Sequence, residues 1–233
     1  MSVAFKYREI AADDLSPPIG SDESTASSVV SPPRFDVCPT WLELATRYLS
    51  DARAAQGTRV TGWSRADAIG RADVLEWEFE TSLQAIVASG IAVGALSAAI
   101  QSKVQLPQSL LDQWRENSTP RHIQIAEVLR RALSLSSNGA SRVRECVGEI
   151  LRFHDLAIDP SRKSSAHVFH PELRVGVEWR FAYFRYENAL LIVQATLRLI
   201  AELVAHGKAN DAEVQEYLDA LRPKVEPLLI LLH

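Results

Sequence analysis

Residues 81–102, TSLQAIVASGIAVGALSAAIQS, decide how the rest of the chain is read. The stretch holds 22 residues without a charge, long enough for a membrane-crossing helix. Four polar side chains (Ser82, Gln84, Ser89 and Ser97) dilute it, and no aromatic belt frames it. Glu76, Glu78 and Glu80 crowd one end and Lys103 stands at the other. Gly90, Gly94 and Ala98 recur at every fourth residue and make one small-residue face, along which a neighbouring helix can come close. The stretch therefore reads as the central helix of a bundle rather than a membrane span. The same face suits packing against a second copy of the chain.

Outward from that helix the pattern stays helical from Pro39 onward. A first helix is expected over about Trp41–Gln56, with Thr40 and Glu43 as a capping box and Gly57 after its end. Ser64 and Asp67 offer the cap of the central helix, which should run to about Val104. Pro107 opens a short helix through Trp114, and Thr119-Pro120 starts another that Asn138-Gly139 stops. A fifth helix covers about Ser141–Leu156, and a sixth runs from Gly176 to His206 with Gly207 as terminator. Asn210 and Glu213 cap the last helix, which Pro223 and Pro227 should bend or interrupt. Phe181, Phe184, Asn188, Leu191, Ile192, Ala195, Leu199 and Leu203 form the core-facing stripe of the sixth. Strand-like alternation is nearly absent, so the fold class is all-α, with no sheet expected.

Composition narrows the function classes. The chain is 233 residues long and 47% hydrophobic, enough for one full core. Residues 1–36, with the Ser/Pro-rich run SPPIGSDESTASSVVSPP, read as an extension that is disordered or orders on a partner, with Phe5, Tyr7, Ile10 and Leu15 as anchors. Residues 37–233 read as one helical domain. Cys38 and Cys146 are too few and too far apart for a disulfide framework or a zinc cluster, which suits a reducing cytoplasm. No secretory signal is recognisable, because Lys6, Arg8 and Glu9 lead into no apolar segment. The net charge of −4 argues against a protein that wraps duplex nucleic acid.

Chemistry-bearing residues concentrate in 151–189, LRFHDLAIDPSRKSSAHVFHPELRVGVEWRFAYFRYENA, which holds His154, His167 and His170. A helix ending in a motif here, a Pro-containing loop, and then His170-Pro171-x-Leu173-x-x-Gly176-Val177-x-Trp179-Arg180-Phe181-x-x-Phe184-Arg185-x-Glu187-Asn188-Ala189 resembles bacterial members of the HEPN superfamily. The resemblance covers about residues 65–206. It implies an up-and-down helical bundle, here with additional N- and C-terminal helices, whose two copies meet as a homodimer. It also implies a metal-independent ribonuclease motif in toxin–antitoxin or other defence systems, with an arginine followed a few residues later by histidine. The arginine would stabilise the phosphorane, while the histidine would move the proton of the ribose 2′-hydroxyl or of the leaving oxygen.

Carried over residue by residue, the motif changes its letters. Where the family pattern reads F-R-D-x-x-V-H-P, this chain reads Phe153-His154-Asp155-Leu156-Ala157-Ile158-Asp159-Pro160. Asp155 is kept, His154 stands in place of the arginine, and Asp159 in place of the histidine. A carboxylate repels the phosphate that the histidine would serve. The resemblance thus implies a catalytically degenerate domain that binds RNA, a nucleotide or an operon-encoded protein partner. The alternative is a ribonuclease rearranged around His154, Asp155 and Arg152. A second alternative is a purely structural interaction protein.

Other residues are candidates for binding: His167, His170, Arg180, Arg185 and Asn188, around the loop and the start of the sixth helix. His167, His170 and Glu172 offer metal-ligand chemistry, but without any established ligand spacing, so no metal or other cofactor is expected. Residues 120–163 carry eight basic and five acidic residues, a local excess that could guide a phosphate backbone. No P-loop, dinucleotide turn or nucleophile triad signature is present.

Overall fold

The computed structural model describes residues 36–159 and 167–230, which form eight helices and one two-stranded hairpin. The extension expected over residues 1–36, with its four anchors, lies outside the described residues except for Asp36. The described residues belong to one unit that starts at Asp36.

At its centre is α2 (Ala68–Gln101), started by the Asp67 carboxylate, which accepts the Gly70 N–H at 2.8 Å. Around it lie α1 (Val37–Gly62), α4 (Arg121–Ala132), α5 (Ser137–Ile158) and α7 (Tyr186–His206). The short α3 (Gln108–Glu116) follows α2, and α8 (Ala212–Ile230) packs on α7 and α1. One core joins them, with Ile86, Leu96 and Ile100 of α2 against Leu42, Ile150, Leu197 and Ile200. Each such side chain contributes about 1.5–3 kcal/mol by leaving water.

The small-residue face of α2 is occupied within the chain. A Cβ built on Gly90 would lie 2.5 Å from the His154 ring of α5, and one on Gly94 would lie 2.3 Å from an Arg121 guanidinium nitrogen of α4. By length and composition α2 and α7 could each cross a membrane; 56% and 50% of their apolar windows are buried in the protein.

Several helix ends differ from the sequence pattern, each for a local reason. Helix α1 starts at Val37 because Asp36, not Thr40, caps it, accepting the Cys38 N–H at 3.0 Å. Pro39 sits in the first turn, where an amide would have no intrahelical acceptor. Gly57 does not end α1, which continues to Gly62. The stop of α4 is Ser134, not Asn138-Gly139: Ser134 adopts φ 47° and the Leu135 N–H reaches back to the Arg130 carbonyl at 3.3 Å. Ser136 then caps α5, its hydroxyl accepting the Gly139 N–H at 3.2 Å. Asp211 takes the Glu213 N–H, while the Asn210 side chain donates to the Arg131 carbonyl at 2.7 Å, tying the start of α8 to the end of α4. Helix α8 runs through Pro223 and Pro227 to Ile230, so the prolines do not interrupt it.

The largest departure is in the expected sixth helix. Strand β1 (His167–Phe169) pairs antiparallel with β2 (Gly176–Glu178), Val168 opposite Val177, so the no-sheet expectation fails over these few residues. A single turn of helix, α6 (Trp179–Tyr183), follows, and the chain breaks at Phe184-Arg185 before α7. Phe184, Ile192, Leu199 and Leu203 are buried as the stripe requires, but Leu191 is 63% exposed.

The Ser134 hydroxyl donates to the Asn210 side chain, so the backbone effect is read against a variant that loses the same hydroxyl. Ser134→Gly should be more stable than Ser134→Ala by about 0.5–1 kcal/mol, since glycine takes the left-handed conformation without a Cβ penalty. A higher urea midpoint for the glycine variant would register it; equal midpoints would show that the Cβ at this position carries no strain.

Candidate functional site

The break before α7 is explained by a buried ion cluster. Arg59 of α1 and Glu78 of α2 are 1% and 2% exposed. Their pairing runs from Arg59 Nε to Glu78 Oε2 at 2.5 Å, and Arg59 Nη2 also holds Glu172 Oε2, in the hairpin loop, at 2.6 Å. The other Glu172 oxygen takes Arg185 Nη1 at 2.6 Å, and the same nitrogen lies 3.3 Å from Glu187. Gln56 of α1 donates to Glu187 as well. Charges out of water persist only when paired and hydrogen-bonded, and here each carboxylate meets a donor.

Glu78 has one further partner, the Tyr186 N–H at the open start of α7, 3.2 Å away. In an unbroken helix that amide would bond inside its own helix. The break frees it for the carboxylate, which also sits favourably at the positive end of the helix dipole. Asn188 completes the junction by donating to the Tyr183 carbonyl at 2.7 Å, satisfying a terminal acceptor of α6.

His170 lies in the same cluster, 1% exposed. Its Nδ1 accepts the Glu172 and Leu173 amides, each at 3.3 Å, which places the neutral ring's proton on Nε2. Burial, and next the positive charge of Arg59, push its pKa below the ordinary 6.5. Burial opposes ionisation of Glu172, but the Arg59 hydrogen bond and charge outweigh it and hold that carboxyl below its usual range. Burial, reinforced by the neighbouring Glu172, pushes Glu187 up.

The remaining binding candidates are placed apart. His167 is exposed on β1 opposite Glu178, and Arg180 pairs with Glu178, its Nη2 2.8 Å from Oε2. His167, His170 and Glu172 do not come together as ligands, because both Glu172 oxygens are held by arginines. Among the described residues, no group of three or more His, Cys, Asp or Glu side chains is placed to hold a metal ion.

The motif positions converge elsewhere. Between the start of α4 and α5 is an open groove of about 930 Å³, lined by Arg121, His122, Arg144, Glu145, Glu149, Arg152 and Asp155. Arg152 is held in place: Nη2 meets Glu149 at 2.7 Å, Nη1 donates to the Tyr183 hydroxyl, and the guanidinium lies 4.7 Å from the Phe153 ring centroid. Phe153 in turn stacks on Tyr183 at 4.6 Å. His154 does not line the groove; its ring is buried against Gly90, with Nδ1 3.1 Å from Asp155 Oδ1. Asp159 is the C-cap of α5, its N–H bonded to the Asp155 carbonyl at 2.8 Å, and it too lies outside the lining.

His122 is the groove residue the sequence pattern passes over, and no spacing within α4 announces that it meets α5. Its ring lies 3.6 Å from where a Cβ on Gly148 would be, an ordinary van der Waals distance that places it beside α5. Arg121 and Arg144 make no ion pair among the described residues and present guanidinium donors suited to phosphate oxygens. Three carboxylates balance the three arginines, so the groove is polar and mixed rather than strongly basic.

Comparison with protein-family models, with curated proteins and with solved structures returned no match to this chain.

Glu78→Ala, which leaves the buried Arg59 with Glu172 as its remaining carboxylate and the Tyr186 N–H without an acceptor, should cost up to about 3–5 kcal/mol in urea unfolding; a loss below 1 kcal/mol would mean that the cluster relaxes freely. The pH effect of His170 follows from its depressed folded-state pKa: its contribution is complete above pH 6.5 and is lost as pH falls through 6.5 toward the folded value. His170→Asn keeps an acceptor for the two amides but does not titrate. Between pH 7.5 and 5.5 the wild type should lose stability relative to the variant; parallel curves would contradict this.

Proposed function

We propose that the protein is a HEPN-like helical bundle without ribonuclease activity that binds RNA or a nucleotide through the groove between α4 and α5. The observation that carries this reading is the convergence of Arg121, Arg144 and Arg152 with His122 in one groove at the motif end of α5. The guanidinium groups suit phosphate oxygens, and Glu145, Glu149 and Asp155 suit ribose hydroxyls and base amino groups. Loss of catalysis is supported by the placement of the altered motif letters: His154 is turned into the core, and Asp159 caps α5. On this reading the protein is a cytoplasmic homodimer serving a defence or toxin–antitoxin system, with an operon-encoded protein as a further partner.

One observation favours the alternative of a rearranged metal-independent ribonuclease. His122 shares the groove with Arg152 and Asp155, which brings an imidazole, a guanidinium and a carboxylate into one opening. His154 is the poorer candidate for the base, since its ring is 5% exposed.

Incubation with tRNA and single-stranded RNA separates the readings. Binding without cleavage is expected. Engagement of about three phosphates should give a log–log salt slope of about −2, and Arg121→Ala or Arg144→Ala should each reduce it by about 0.7. Cleavage abolished by His122→Ala or Asp155→Ala would overturn the binding-only reading. No RNA or nucleotide retention at low salt would leave a structural interaction protein.

A further inference from the structure

A second groove lies between α5 and α7, away from the motif, with a volume of about 340 Å³. Its floor is apolar, built from Leu135, Val143, Leu199 and Leu203. Its lining holds no Phe, Tyr or Trp to stack a base, and no cluster of polar side chains lies on the floor. Arg142 of α5 and Arg198 of α7 stand at the lining, both exposed and neither in an ion pair among the described residues. Glu202 and His206 follow along α7. Cys146 forms part of the wall, its Sγ 3.9 Å from the Ala195 carbonyl.

The geometry points to a binding site for a free medium-chain fatty acid, its alkyl chain on the apolar floor and its carboxylate between Arg142 and Arg198. The volume is at the small end of the ligand-site range of about 300–1,000 Å³, which suits a single alkyl chain. Charge complementarity selects the head group, because two unpaired guanidinium groups from facing helices favour a carboxylate over an amine or an alcohol. One carboxylate is enough, since Glu202 offsets part of the positive charge. The site is independent of the RNA-binding reading.

Cys146 supplies the readout. Cys38, the other thiol, is 0% exposed, whereas Cys146 is half-buried at the groove wall and is the more accessible thiol, although burial and Glu202 push its pKa up too and make labelling slow. The rate of N-ethylmaleimide labelling of the full chain is measured against decanoate, octanoate and decyltrimethylammonium, below their micelle concentrations. Decanoate should slow labelling. Octanoate should need about fifteenfold more, from about fourfold per lost methylene. The cation should not protect. Arg142→Glu with Arg198→Glu, both at exposed positions, should weaken decanoate about tenfold while leaving the thermal midpoint in place. Equal protection by acid and cation, no dependence on chain length, or no protection by decanoate would each overturn the assignment. So would labelling that slows with protein concentration alone, since a second copy would then be what covers the groove.

Discussion

Arg59 ties the first two helices to the hairpin loop. It is a nearly fully buried guanidinium that grips Glu78 of the central helix with one nitrogen and Glu172 of the hairpin loop with another. Such a cluster adds little net stability compared with well-packed apolar side chains, but losing any partner is costly, so it selects one arrangement over its competitors. The selected arrangement breaks the helix at Phe184-Arg185, exposes the Tyr186 amide to Glu78 and folds residues 167–178 back as a hairpin. The consequence reaches the groove. The same junction sets α6, whose Tyr183 stacks on Phe153 and holds Arg152 by its hydroxyl. A buried electrostatic constraint at one end of the hairpin thereby fixes a guanidinium at the site proposed for phosphate.

The glycines of α2 set the second constraint. Gly90 admits His154 so closely that a Cβ would fall 2.7 Å from the histidine Cβ, and the His154 side chain is buried there. Gly94 lies against the guanidinium tip of the exposed Arg121, which borders the groove. Small residues in this helix thus serve the groove twice, drawing one motif side chain inward and seating one basic side chain at the mouth. The face read from sequence as a docking surface for another helix is filled by the chain's own α4 and α5.

Most of the helices were legible because their signals are local. Asp67 before α2, Pro107 and Pro120 before α3 and α4, and Gly207 after α7 all mark ends within one turn of where the chain bends. The failures share a different cause. Residues 176–206 carry helical periodicity, yet the break at Phe184-Arg185 is imposed by Glu78, more than 100 positions earlier in the chain. Ser134 is not legible as a helix stop, because a serine in the left-handed conformation leaves no compositional mark. Arg152 and Asp155 could be picked out as site candidates, since the motif lies on one helix. His122 could not, because its place beside them depends on α4 packing against α5. Glu78 looked from sequence like one of three glutamates flanking an apolar run; burial beside Arg59 makes it the pivot of the junction.

Native-state hydrogen exchange on Glu172→Gln tests most directly whether the Arg59 cluster holds the hairpin on the bundle. That substitution preserves the side-chain shape while removing the charge that Arg59 and Arg185 share. The account predicts at least tenfold faster exchange at the His170, Arg174 and Tyr186 amides, with the core amides of α2 and α5 unchanged. Unchanged protection across residues 167–186, or a uniform loss throughout the protein, would contradict it.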